Sequence, residues 1–250
     1  MTAFADYAQY YDLLNQNKDY SSEVEYVCAK LEKYTPVQNI LELGCGSGGH
    51  AGEFLKRNIR IHGIDSSQGM VDIANSRLSN AGEPYLFEMA DIRNYKSSQQ
   101  YDAVVSLFHV MSYLQSNEDI INTLNVAREH MRKGGLFLFD VWYGPAVLDQ
   151  KPGKTIREGE DESIKVVREA SSEVLYERNT VLVHYLFTVH HKKTGKVTTF
   201  SETHAMRYYF VPELELFCQL TGLKLLEINE FGTDRKPNVD TWGLSVLLGI

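Results

Sequence analysis

Apolar positions along this chain change their spacing twice, and the changes predict its architecture. Up to residue 35 the spacing is helical: Val24, Val27, Cys28 and Leu31 follow Ser22 and Glu25, which read as a capping box. Residues 5–35 are therefore predicted as two helices. Short apolar runs then alternate with helical stretches. Strands are predicted near 39–43, 59–64, 85–89, 102–107 and 136–140. Between them come helices at 49–57, from Ser66 or Ser67 to about Leu78, and at 117–132 with Gly134 as its stop. Such alternation implies right-handed crossovers and a parallel sheet, with ligands at the carboxyl ends of the strands.

After Pro145 the helical spacing disappears. From 155 to 208, β-branched and aromatic residues alternate with polar ones, as in Val181-Leu182-Val183-His184-Tyr185-Leu186-Phe187. His191 to Lys196 reads as a hairpin turn and Val197 to Arg207 as the returning strand. Pro212 opens a last helix, Gly222 closes it, and strands near 223–231 and 242–248 end the chain.

The first predicted strand breaks into Gly44-Cys45-Gly46-Ser47-Gly48-Gly49, and Asp65 closes the second strand about 20 residues later. This layout brings bare backbone against a ligand and sets a carboxylate one βα unit further on to hold a ribose. Two cofactors fit it. Gly44, Gly46 and Gly49 satisfy the dinucleotide pattern, the reading of an NAD-dependent oxidoreductase. Gly44, Gly46 and Gly48, with Glu42 two residues ahead of the first glycine, satisfy that of S-adenosylmethionine (SAM) enzymes. Residues further on favour SAM. Asp91-Ile92 ends a short apolar run where an adenine amino group and ring would lie. Tyr101 to His109 is a buried strand running into an aromatic residue and a histidine. Arg132 to Asp140 gives a helix end, a double-glycine turn and another buried strand.

In the order and spacing of these segments the whole chain resembles the class I SAM-dependent methyltransferases. The resemblance implies an α/β, Rossmann-like seven-stranded mixed sheet with its last strand antiparallel, flanked by helices and carrying an antiparallel β insertion. It divides the chain into a helical cap (1–36), a SAM-binding core (37–145 and 209–250) and an insertion (146–208) serving as substrate lid or interface. Gly44 to Gly48 would pass under the methionine moiety, Asp65 would hold the ribose hydroxyls, and Asp91 and Ile92 would bind adenine. Glu42, Cys45, Ser66, Met70, Leu107 and Phe108 complete the expected cofactor contacts. S-adenosylhomocysteine is the implied product.

Near the start, Tyr10-Tyr11-Asp12-Leu13 and Lys18-Asp19-Tyr20 are similar to elements of the N,N-dimethyltransferases that act on nucleotide-linked amino sugars, as are the 183–186 strand and the 203–210 segment. This resemblance makes Tyr11 and Tyr20 contacts to the methionine end of SAM. That subfamily carries a histidine near the amine after the fourth strand. Here Phe108-His109-Val110-Met111-Ser112-Tyr113 puts Tyr113 in its place and His109 a turn earlier, so both are candidate catalytic residues. Tyr7, Trp142, Tyr143, His184, His204 and Arg207 are candidate substrate contacts; each also reads as ordinary packing or a polar sheet face. The expected acceptor is the amino group of a nucleotide-linked sugar. Another small-molecule nitrogen or oxygen acceptor, or a SAM-binding protein without turnover, are the alternatives.

Composition narrows the partners. The 250 residues carry 25 Lys and Arg against 33 Asp and Glu, a net charge of −8 without a basic cluster, which disfavours nucleic acid. No Asn-Pro-Pro-Tyr or Asp-Pro-Pro-Tyr segment follows the fourth strand either. The three cysteines are scattered, with no zinc spacing and no disulfide frame, so no metal site is predicted. No signal peptide or membrane-length apolar run is read, which points to a cytoplasmic protein with no membrane partner and a homodimer as the assembly to test.

Overall fold

The computed structural model describes residues 7–79 and 85–250; the expected start of the first helix, at residues 5 and 6, lies outside them. Two helices come first, α1 (Ala8–Leu14) and α2 (Tyr20–Glu32). The second does not start at the expected capping box. Asp19 is its N-cap, accepting from the Ser22 amide at 3.0 Å, so the helix begins at Tyr20, ahead of the start that a Ser22 cap would give.

The sheet is built on β1 (Asn39–Leu43). It pairs in parallel with β2 (Arg60–Asp65) on one side and β4 (Tyr101–Ser106) on the other. Outward from these lie β3 (Tyr85–Met89), beside β2, and β5 (Met131–Tyr143), beside β4, both parallel. The sheet ends with β11 (Gly243–Gly249), antiparallel to β5, and β10 (Lys224–Glu230), antiparallel to β11. The mixed seven-stranded order with an antiparallel last strand is as expected.

Both faces of this sheet are covered, which is why its strands read as continuous apolar runs. Leu41, Leu43, Val104, Phe137 and Phe139 point to one side, into a core closed by α5 (Asn117–His130) and α7 (Val211–Thr221). Their alternates Ile40, Ala103, Val105, Leu136 and Leu138 point to the other, toward α2, α3 (Gly49–Lys56) and α4 (Gln68–Leu78). Ser67 caps α4 and Ser116 caps α5, each through its hydroxyl. Gly134, expected to stop α5, instead sits inside β5 with φ +77°, four residues past the helix end at His130.

The alternating region forms four antiparallel strands in hairpin order: β6 (Thr155–Glu160), β7 (Ile164–Leu175), β8 (Thr180–His191) and β9 (Val197–Tyr209). They join the main sheet where Trp142 and Tyr143 of β5 pair in parallel with Tyr208 and Tyr209. A helix not foreseen, α6 (Gly144–Gln150), precedes them, with Pro145 in its first turn. The insertion therefore stands at the carboxyl end of β5, beside the ends of β1, β2 and β4. Among the described residues no helix is long and apolar enough to cross a membrane.

Candidate active site

A cavity of about 600 Å³ opens at those strand ends, large enough for a small-molecule site. Its floor is the loop after β1. Gly44 adopts φ +78°, and a Cβ there would sit 2.5 Å from a methyl carbon of Val110. Gly46 adopts φ +52°, and a Cβ on it would meet nothing within 4 Å, so bare backbone faces open space. The Gly44 and Cys45 amides both donate to the Ile64 carbonyl (2.8 and 3.0 Å), tying the loop to the end of β2. Asp65 follows, and its two oxygens accept from the Gly46 and Ser67 amides, each at 2.9 Å. Burial pushes its carboxyl up, and these two amides only partly offset that.

Beneath the loop, Glu42 is 1% exposed. One of its oxygens lies 3.5 Å from His50 Nδ1 while the other has no partner. His50 Nε2 meets Glu23 at 2.7 Å. Burial alone would depress this imidazole; the bonds and charges of Glu23 and Glu42 outweigh burial and lift it above the ordinary value. The Cys45 thiol is driven far up by burial and by the neighbouring carboxylates, so it stays protonated.

The lateral wall combines Ser66, Met70, Ile92, Leu107 and Phe108 with Asp91, whose carboxylate is gripped by Arg93 at 2.6–3.1 Å. Phe108 and His109 both adopt positive φ (+65° and +63°), an uncommon pair of left-handed residues. Asp140, 1% exposed at the end of β5, holds this turn: the His109 amide donates to Oδ1 at 3.0 Å, and Nδ1 lies 2.7 Å from Oδ2 as a charge contact rather than an aligned hydrogen bond. Burial would raise the Asp140 carboxyl, but His109 outweighs it and holds the group below the usual carboxylate range.

The insertion supplies the opposite wall. The Tyr113 hydroxyl lies 2.8 Å from His204 Nδ1, and His204 Nε2 lies 3.0 Å from Glu202 Oε2. The Tyr7 amide donates to the other Glu202 oxygen at 2.9 Å. A carboxylate at Nε2 fixes the proton there, which leaves Nδ1 to accept from Tyr113. Burial depresses His204, with Glu202 opposing it in part, and pushes the Tyr113 hydroxyl well up. His204 is accordingly expected to titrate below the ordinary 6.5, and Glu202→Gln to lower it further, in an NMR titration of the imidazole. A midpoint at or above the ordinary value would refute the arrangement. The sign extends to stability. Above the ordinary value both folded and unfolded chains are neutral at this site; as pH falls below it the unfolded chain takes up the proton first, so stability drops.

Of the residues singled out from sequence, Tyr7, Tyr11, Tyr20, Gly44, Cys45, Gly46, Asp65, Ser66, Met70, Asp91, Ile92, Leu107, Phe108, His109, Tyr113, Trp142 and His204 line this one cavity. Others do not. Gly48 is the N-cap of α3, where a Cβ would press on Ala74 at 3.1 Å; its place is helix packing. Tyr143 alternates with Trp142 on β5 and packs into the core. His184 is exposed and bonds Thr203, because the pleat that turns Tyr185 inward turns its neighbour outward. Arg207 is three residues from His204 on β9, an odd separation that puts it on the opposite face, bonded to Glu213 and Asn117. Lining residues not foreseen include Asn15, His50, Arg157, Arg168, Tyr185 and Trp242. Tyr185 was legible from strand parity, whereas Arg157 and Arg168 depend on a hairpin register that spacing alone does not set.

Residues 40–135 match the model of a family described as Methyltransferase domain. A dTDP-3-amino-3,4,6-trideoxy-alpha-D-glucopyranose N,N-dimethyltransferase from Streptomyces venezuelae is 27% identical over 228 residues, spanning 88% of this chain and 91% of that protein. Two solved structures share the fold over nearly their whole length. A SAM-dependent methyltransferase from Clostridium acetobutylicum superposes with a TM-score of 0.81 at 20% identity, covering 100% of this chain and 99% of its own. Streptomyces venezuelae DesVI does so with 0.80 at 23% identity, covering 98% of each.

Proposed function

We propose that the chain is a SAM-dependent methyltransferase that methylates the amino group of a nucleotide-linked sugar. The reading is carried by the Tyr113–His204–Glu202 chain on the insertion wall, a built route for one proton at the acceptor end of the cavity. The Streptomyces venezuelae relative, named for that reaction class and matched over most of both chains, supports it.

The donor set fits the cofactor. Bare backbone at Gly46 faces open space on the cavity, and Glu42, with a buried oxygen that has no partner, lies beneath the loop rather than on its lining. Asp65 would take the ribose hydroxyls, Asp91 and Ile92 the adenine, and Tyr11 and Tyr20 the methionine end, with Cys45, Ser66, Met70, Leu107 and Phe108 closing around them. When bound, SAM supplies an electrophilic methyl for in-line displacement. The protein's task is alignment and proton removal. An amine reaches the transfer step only after shedding its extra proton. The Tyr113 oxygen, already donating its hydrogen to His204, is left with lone pairs to accept it. As that proton arrives, Tyr113 passes its own to Nδ1, and Glu202 balances the imidazolium. Because burial opposes both a tyrosinate and a lasting imidazolium, the relay works in one concerted movement and resets to solvent. His109, held by Asp140, would position Phe108 and the acceptor.

Incubating the protein with SAM and thymidine diphosphate-linked amino sugars, followed by mass spectrometry, is expected to give singly or doubly methylated products. Methylation confined to hydroxyl or carboxylate acceptors would overturn the proposal.

A further inference from the structure

We propose that Arg157 and Arg168 form an anion subsite at the acceptor end of the cavity, shaped for the diphosphate of a nucleotide-linked substrate. The proposal rests on the acceptor being nucleotide-linked, and assigns the residues that take its phosphates.

The two arginines are direct cross-strand partners in the β6–β7 pair, so both side chains project from one face, and both line the cavity. Like charges placed directly opposite on antiparallel strands are destabilising. No ion pair joins either guanidinium to a carboxylate among the described residues. Arg168 is 7% exposed, and its Nε is buried without a partner. Its other contacts orient it rather than neutralise it. One terminal nitrogen donates to the Tyr7 hydroxyl at 2.8 Å, and the guanidinium lies 4.6 Å from the Tyr185 ring centroid. Glu202, on the same wall, bonds the Tyr7 amide and His204.

With no carboxylate partner among the described residues, a buried guanidinium held this way is suited to a bound anion as its counter-charge. Arg157 is exposed and steadied by Asn15 at 3.1 Å, so the pair runs from the cavity's mouth to its interior. One carboxylate would satisfy one of these cations. A diphosphate carries charge on two linked groups and matches both, and the planar guanidinium fork suits phosphate oxygens. The pair is also set against a chain of net charge −8, so it is a local feature and not part of a basic surface.

The test is calorimetric titration of the protein saturated with S-adenosylhomocysteine, using thymidine diphosphate, thymidine and malonate. Thymidine diphosphate is expected to bind, thymidine and malonate to bind far more weakly. Arg157→Gln and Arg168→Gln should each weaken thymidine diphosphate about tenfold or more, the loss of a charged hydrogen bond, while S-adenosylhomocysteine affinity is kept. Arg157 is exposed, so its variant tests the proposal even if the Arg168 variant folds poorly. Unchanged diphosphate affinity in the Arg157 variant, thymidine binding as tightly as its diphosphate, or tighter binding of malonate would each overturn the subsite. Transfer assays separate this from the acceptor assignment. Methylation of a nucleotide-linked amino sugar with KM unchanged in both variants would leave the acceptor reading standing and sink the subsite. Arginine-dependent diphosphate binding without methylation of any amino sugar would do the reverse.

Discussion

Replacing Asp65 by alanine is expected to weaken SAM and S-adenosylhomocysteine binding about a hundredfold, toward the upper end of the roughly 1.5–3 kcal/mol carried by a hydrogen bond to a charged group. The upper end is expected because Asp65 has two tasks. Its oxygens would bind the ribose hydroxyls, and they already accept the Gly46 and Ser67 amides that shape the glycine loop and the start of α4. Alanine removes the ligand contact and leaves both amides without their acceptor. Asp65→Asn should fall between the two, because its amide nitrogen would face one of those N–H donors. Calorimetry with S-adenosylhomocysteine measures the loss directly. The thermal stabilisation given by the ligand must shrink in step, since it depends on concentration relative to Kd. Unchanged affinity in the alanine variant would show that the ribose is held elsewhere.

The part of this site that was legible in the sequence is the part held by the parallel sheet. There a loop must follow each strand's carboxyl end, so Gly44, Gly46, Asp65, Asp91, Leu107 and Phe108 are placed by counting strands, and they line one cavity. The insertion obeys a different geometry. In a twisted antiparallel sheet the side chain period is two, so adjacent residues separate completely: Tyr185 faces the cavity and His184 faces away. Choosing residues there by chemical type alone selects histidines and arginines from both faces, Arg207 along with His204. Arg157 and Arg168 are further from reach. They meet only because the β6–β7 turn sets them opposite each other, and a shift of one residue would send one of them to the other face. Helix starts show the same limit on a smaller scale. Asp19 and Ser22 are both good caps, and packing of Tyr20 against Gly49 goes with the earlier one.

Tyr113→Phe is expected to lower kcat for transfer to an amine by about a hundredfold to ten-thousandfold near neutral pH, the range of general acid–base contributions, with S-adenosylhomocysteine affinity kept. Phenylalanine keeps the ring that packs edge-on against His204 and removes only the oxygen between acceptor and imidazole. His204→Gln should produce a similar loss, because Tyr113 would then have no base to receive its proton. The pH dependence separates proton transfer from simple misplacement. A protonated amine needs the relay; one that has already lost its proton to solvent does not. The deficit of Tyr113→Phe should therefore shrink as pH rises toward the amine's own pKa, whereas a positioning defect would stay constant. His109→Asn serves as the contrasting variant. Asparagine tolerates positive φ and still offers a donor toward Asp140, so the turn at Phe108 and His109 is retained and only a small loss is expected. A larger and pH-dependent loss in His109→Asn than in Tyr113→Phe would move the proton route from the insertion wall to the His109–Asp140 pair.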